Sequence, residues 1–363
     1  FSYKIDNPCR ADLSCIIKNK YGKVEMSTSF SSNHNFSKGF FYVADGTFNF
    51  YDTEKKTAYQ DCYASLNAGK TLGIGNYDSA NIIHSNGKFY LLVGTSTSNR
   101  DHFYIVDAKT LYYENSAVVG ANLSGLTILN EQYGLVTGDG IRRIDLKSLN
   151  NVRIKNERLL CFYNSIIYNG KVLSNDTYKD ESKVKYYDVN ELIAAKEGEA
   201  PAVTELDIIQ KQKINFVLAK DGNVYTLESA DNGCNIVKIK NDFTLEKVFA
   251  NFQPAKGPYH SSPTIGMVAS ETENIIYLVS TDGAIYKYIL GDSDSLKAPF
   301  IAAESGVSIT APLQLNQQSG ELYVTYTEER KDESKIVVYS KDGKVLHTVD
   351  CGESVPSQIL FNN

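Results

Sequence analysis

The chain of 363 residues has no tryptophan, two methionines and eight prolines. No apolar run reaches about 18 residues, so no segment reads as a membrane-spanning helix. The five histidines (His34, His84, His102, His260 and His347) show no ligand spacing, and none shares a helix face with another to hold a metal. The six cysteines (Cys9, Cys15, Cys62, Cys161, Cys234 and Cys351) form no C-x-x-C pair, which excludes the usual zinc and dithiol redox motifs. There is no G-x-S-x-G elbow, and no Ser/His/Asp set stands out. The glycine-rich stretch Gly69–Gly75 has no helix behind it and reads as a surface loop, not a dinucleotide cradle. The formal charge of −6 argues against a nucleic-acid partner. The expectation is a protein with no catalytic residues, no metal and no cofactor.

What is present points to strands. Apolar residues make up 42% and charged residues 22%, ordinary values for a globular protein with a large core. Tyrosine (25) and phenylalanine (16) are abundant, and both pack well on pleated surfaces. One unit recurs along the chain, an apolar alternating segment closed by Asp or a polar substitute. It reads Phe48–Asp52, Phe103–Asp107, Ile141–Asp145 and Val184–Asp188, with weaker copies at Ile236–Lys240, Ile285–Ile289 and Ile336–Ser340. The copies lie about 40 to 55 residues apart, the period of a four-stranded propeller blade. Seven copies predict an all-β, seven-bladed β-propeller.

Turn chemistry agrees. Asp45-Gly46, Asp139-Gly140 and Asp282-Gly283 precede the repeated strand and read as links between a blade's second and third strands. Asn86-Gly87, Asn169-Gly170 and Asp221-Gly222 fall one strand earlier. Complete blades are expected at 75–120, 121–156, 157–208, 209–251, 258–304 and 305–352. The first copy, 39–65, has only three strands, at 40–44, 47–52 and 57–64. An orphan strand at 357–361 supplies the fourth and closes the ring, leaving no open seam. Val189–Lys196 is the one expected helix, inserted after a third strand. Residues 1–38 form an N-terminal extension, read as a hairpin around Tyr21-Gly22, and the propeller occupies 39–363. An eighth blade built from that extension is the competing count.

The chain opens on Phe1 without an initiator methionine, which reads as a leader removed or a trimmed end. Cys9 and Cys15 can bridge in an oxidising compartment, and the other cysteines read as small apolar core residues. N-x-S/T sequons begin at Asn35, Asn122 and Asn175.

Function in a propeller sits on the face that carries the loops entering the innermost strands and those joining second to third strands. On those loops we single out Tyr77, Arg100, Tyr163, Asn164, Tyr259 and His260. Tyrosine faces edged by amide, imidazole and guanidinium groups suit a large ligand with polar edges or a protein partner. The alternative is that these tyrosines merely cover blade edges.

The phrases Gly46–Asp52 with Glu54–Thr57, Leu72–Ser79, and Asn86–Tyr90 with Phe103–Asp107 resemble YncE-like (YVTN-type) propellers. Within that group the chain is most similar to secreted surface lipoprotein propellers of anaerobic bacteria, some of which capture cobalamin for an outer-membrane transporter. The likeness covers about residues 39–361 and departs in the N-terminal extension, the insertion near 189–202 and the absence of Trp. It implies an exported protein of the cell surface or periplasm, lipid-anchored through a removed N-terminal segment. The expected function is non-enzymatic capture of a small ligand such as a corrinoid. The alternatives are an interaction platform for an outer-membrane uptake or adhesion complex, or a lyase, lactonase or glycan-acting enzyme.

Overall fold

The computed structural model describes residues 10–19, 22–31, 36–68, 72, 79–94, 100–138, 140–155, 165–175, 182–199, 201–210, 215–255, 266–328 and 333–362. Seven antiparallel sheets follow one another around a ring, and a separate two-stranded hairpin pairs Arg10–Asn19 with Gly22–Ser31. Blade 1 joins Pro356–Leu360 to Gly39–Ala44, Thr47–Asp52 and Thr57–Tyr59. Blades 2 to 7 then follow in chain order from Ser79–Ser85 to Val345–Gly352.

The second strands explain why a ring forms. Gly39–Ala44 and Lys88–Gly94 are apolar at nearly every position rather than alternating, because both faces of each sheet are covered. Period-2 geometry sends successive side chains to opposite neighbours. Phe41 and Val43 pack with Phe89 and Leu91 of blade 2, while Phe40 and Tyr42 pack with Tyr323, Ile336 and Val338 of blade 7. Tyr90 and Leu92 turn the other way, towards Val136 and Ile144 of blade 3. Seven such clusters, one per blade interface, complete the circle. In the absence of Trp, the first interface is filled by Phe36, Phe41, Phe48, Phe50 and Phe89, with ring centroids 5.0–5.5 Å apart.

The closure expected from the C-terminal strand is present. Tyr42 faces Ile359 and Phe41 faces Leu360 in antiparallel register. The Gln358 amide extends the closure to blade 2: its Nε2 donates to the Ile82 carbonyl at 2.7 Å, and Oε1 accepts the Ile82 N–H at 3.3 Å. A side-chain amide thereby replaces a strand partner. Asn215 does the same between blades 5 and 6, with Nδ2 donating to the Met267 carbonyl (2.6 Å) and Oδ1 accepting its N–H (2.9 Å).

The aspartate that closes the repeated segment has a local cause. Asp52, Asp107, Asp145 and Asp188 each accept the backbone N–H groups two and three residues on, at 2.7–3.1 Å. These Asx turns steer the chain from third to fourth strand. In blade 4 the same geometry caps helix α1 (Val189–Ala194), the insertion expected at Val189–Lys196. Arg143 of blade 3 donates to the carbonyls of Leu192, Ile193 and Ala195, satisfying the end of that helix.

Three details differ from the sequence reading. The third strand of blade 1's copy stops at Tyr59, and Asp61 caps a short helix, Cys62–Leu66. The fourth strand of blade 6 shrinks to Phe300-Ile301, both bonded to the Ile285 carbonyl. Pro299 precedes it and has no N–H to offer a ladder. The Asp-Gly turns also divide: Asp45 and Gly46 both have positive φ (45° and 73°), as a two-residue hairpin requires, whereas in Asp282-Gly283 only the glycine does.

The cysteines bring a correction. Cys62 is fully buried in the first interface, but it is disulfide-bonded and not a free core thiol. Cys234 and Cys351 are free, with thiols pushed by burial up to about 11 and about 12. Cys9 and its expected bridge lie outside the described residues, as do Cys161 and the sulfur of Cys15. Among the sequons, Asn175 is 1% exposed and its amide donates to Gln210 at 2.5 Å, so it is no glycan acceptor, whereas Asn122 is exposed.

Candidate functional site

The face singled out from sequence, here called upper, carries the links between second and third strands. Of the six residues named on it, Arg100 is described: it is exposed immediately before the third strand of blade 2, Asp101–Asp107. Beside it, Asp101 is 2% exposed and accepts the Leu123 N–H at 2.5 Å, tying blade 2 to blade 3. Tyr77, Tyr163, Asn164, Tyr259 and His260 lie outside the described residues.

A cleft of about 430 Å³ opens on the opposite, lower face, between blades 5 and 6. It is bounded by the first turn of blade 5 (Asp221), the outer strands of that blade (Lys238, Glu246, Lys247) and the turns of blade 6 (Asn274, Leu290, Gly291). Its floor is formed by Tyr225 and Tyr288, each 2% exposed.

Strand register assembles the floor. Tyr225 stands directly opposite Lys238 on adjacent strands, and the Lys238 ammonium lies 5.8 Å from the Tyr225 ring centroid. Asp221 receives both groups, the Tyr225 hydroxyl at 2.8 Å and Lys238 Nζ at 2.9 Å. Lys240 pairs with Glu246 at 2.9 Å, and Lys247 with Glu228 at 3.7 Å. Within blade 6, the Tyr288 oxygen accepts the Gly291 N–H at 3.4 Å. That bond does not use the Tyr288 proton.

These contacts fix protonation. Burial raises the Asp221 carboxyl, but hydrogen bonds from Lys238, Tyr225 and Asn223 outweigh it and hold the group below its usual range. Glu246 is likewise held low, by Lys240. Burial, and then the Asp221 hydrogen bond, push the Tyr225 hydroxyl well up. Burial also raises Tyr288. Near neutral pH the carboxylates are therefore charged and both phenols protonated. No group of three or more His, Cys, Asp or Glu residues is placed to hold a metal among the described residues.

The sequence reading missed this cleft. Asp221-Gly222 registers there only as a turn, and Lys238 and Tyr288 only as members of repeat copies. The exceptional signal was local: Asp221 and Tyr225 stand four residues apart across a tight turn, followed by a lysine in the next strand.

The comparisons agree with this architecture. Residues 36–362 match the family described as a domain of unknown function (DUF5074), and the chain belongs to that family. No curated protein matches its sequence. Among solved structures, a puromycin hydrolase aligns over 86% of this chain and 51% of its own, at 12% identity and a TM-score of 0.54. The dihydro-heme d1 dehydrogenase NirN aligns over 94% of this chain and 71% of its own, at 12% identity and a TM-score of 0.50. The chain thus spans about half the length of the hydrolase. At these identities the likeness concerns the fold alone, and the two neighbours already differ from each other in activity.

Proposed function

We propose that this propeller is a non-enzymatic binding protein of an exported, oxidising compartment, capturing a small ligand rather than transforming it. The observation that carries the reading is the state of the lower cleft. A general acid or base works best with a pKa near the operating pH. Here the carboxyls are driven down and the phenols up, away from neutrality, which makes them fixed acceptors and donors. The cleft volume of about 430 Å³ falls within the range of small-molecule sites.

The disulfide at Cys62 favours an oxidising compartment, since disulfides persist in secreted and periplasmic proteins and are rare in reducing cytosol. This supports placement at the cell surface or in the periplasm, with a lipid anchor as in the YncE-like lipoproteins the chain resembles. That resemblance makes a corrinoid the first ligand to try for the upper face, with handover to an outer-membrane partner. The test is a thermal-shift screen of the oxidised protein against corrinoids, haem, saccharides and divalent metals. A ligand at 100 times its Kd stabilises a folded protein by about 2.7 kcal/mol. A reproducible rise in Tm with one class supports capture. No rise with any class, or release of a chemically altered ligand, overturns it.

A further inference from the structure

Resting on the binding reading above, we infer that the cleft between blades 5 and 6 takes a neutral polyhydroxylated ligand, a saccharide of one or two hexose units. The charge pattern points there. Two carboxylates (Asp221, Glu246) and two ammonium groups (Lys238, Lys247) line the cleft, so its formal charge cancels. Each is already in an ion pair with a neighbour. An ionic ligand has to break one of these pairs to gain its own, leaving a partly desolvated charge behind. A hydroxyl group, which both donates and accepts, can add to the spare lone pairs of a carboxylate without displacing its lysine.

The second observation is Tyr288. As a residue it is 2% exposed, it lines the cleft, and its oxygen accepts the Gly291 N–H, a bond that does not use the Tyr288 proton. A sugar oxygen entering from the cleft mouth would satisfy it. Asn274 at the rim adds an amide that can both donate and accept, and Leu290 and Val248 add apolar surface for the C–H face of a pyranose. The cleft volume also selects. At about 430 Å³ it accommodates one or two hexose rings.

The experiment is saturation-transfer NMR on the full chain with glucose, galactose, N-acetylglucosamine, lactose and cellobiose, alongside acetate, phosphate and lysine as charged probes. At least one sugar is expected to give saturable transfer, and the charged probes none. Tyr288→Phe, which keeps the ring and removes only the hydroxyl, should weaken the sugar at least tenfold while the unfolding midpoint holds. Asn274→Ala, at an exposed rim position, should weaken it severalfold. The inference is overturned if no sugar binds, if a charged probe binds in their place, or if both variants bind the sugar as the parent does. If sugars fail while a corrinoid or haem raises Tm, the saccharide assignment falls and the capture reading stands. If a bound sugar is chemically altered, the capture reading falls with it.

Discussion

Replacing Gln358 with leucine tests how the ring is locked. The wild-type amide occupies both backbone groups of Ile82, a residue 2% exposed, at 2.7 and 3.3 Å. Leucine is of similar bulk but can do neither. Two hydrogen bonds worth about 1 kcal/mol each are lost, and an N–H and a carbonyl are left in a buried place with no partner. Partial relaxation, or entry of a water, offsets some of this, so we expect a loss of about 2–4 kcal/mol. Urea unfolding followed by fluorescence of the 25 tyrosines reads it directly, with the midpoint moving and the slope m unchanged. A loss below about 0.5 kcal/mol, the level of an ordinary surface substitution, would refute the argument that this amide joins blades 1 and 2. Gln358→Glu sharpens the test. A protonated carboxyl can reproduce both bonds, whereas a carboxylate faces the Ile82 carbonyl with like polarity. The folded state should therefore raise that group's pKa. The recovery relative to Gln358→Leu should be fullest below the unfolded value, about 4.3, and fade as pH rises through the folded one.

Further expectations come from other parts of the molecule. His84 packs on Phe89 at 5.1 Å between ring centroids, with Nε2 buried, and burial lowers its pKa. The unfolded chain thus binds this proton more readily, so stability present above about pH 6.5 falls as pH drops below it; His84→Gln should flatten that slope in urea titrations at pH 7 and pH 5. Asp107→Ala removes the turn acceptor for Lys109 and Thr110 and should cost about 1 kcal/mol by the same assay. Intact-mass thiol counting should find Cys62 blocked until reductant is added, whereas Cys234 should label only on unfolding and the half-buried Cys351 slowly before it. Cys62→Ser should lower stability by about 2–5 kcal/mol, and an unchanged urea midpoint would show that the bond carries no structural weight.

The repeat and its turns were legible because they are local. The Asp at the end of each strong copy answers to N–H groups two and three residues away, and Asn86-Gly87 adopts positive φ at both positions whatever surrounds it. The count of seven and a closing strand, expected at 357–361 and found at Pro356–Leu360, followed from period and arithmetic. Shortening of blade 6's last strand was signalled by Pro299, which the reading of a regular copy did not use. The cleft was not legible. It needs Tyr225 and Tyr288, 63 positions apart by their numbering, to meet across a blade boundary.

Chain order alone therefore determined the class of fold, the blade limits to within several residues and the mode of closure, since hydrophobic period and turn chemistry act over a few residues. Tertiary structure alone decided which face of each strand met which neighbour, that Cys62 is bonded while Cys234 and Cys351 are free, and which charges pair in the lower cleft. Those outcomes depend on the angle and spacing between blades, and no short window of sequence contains either.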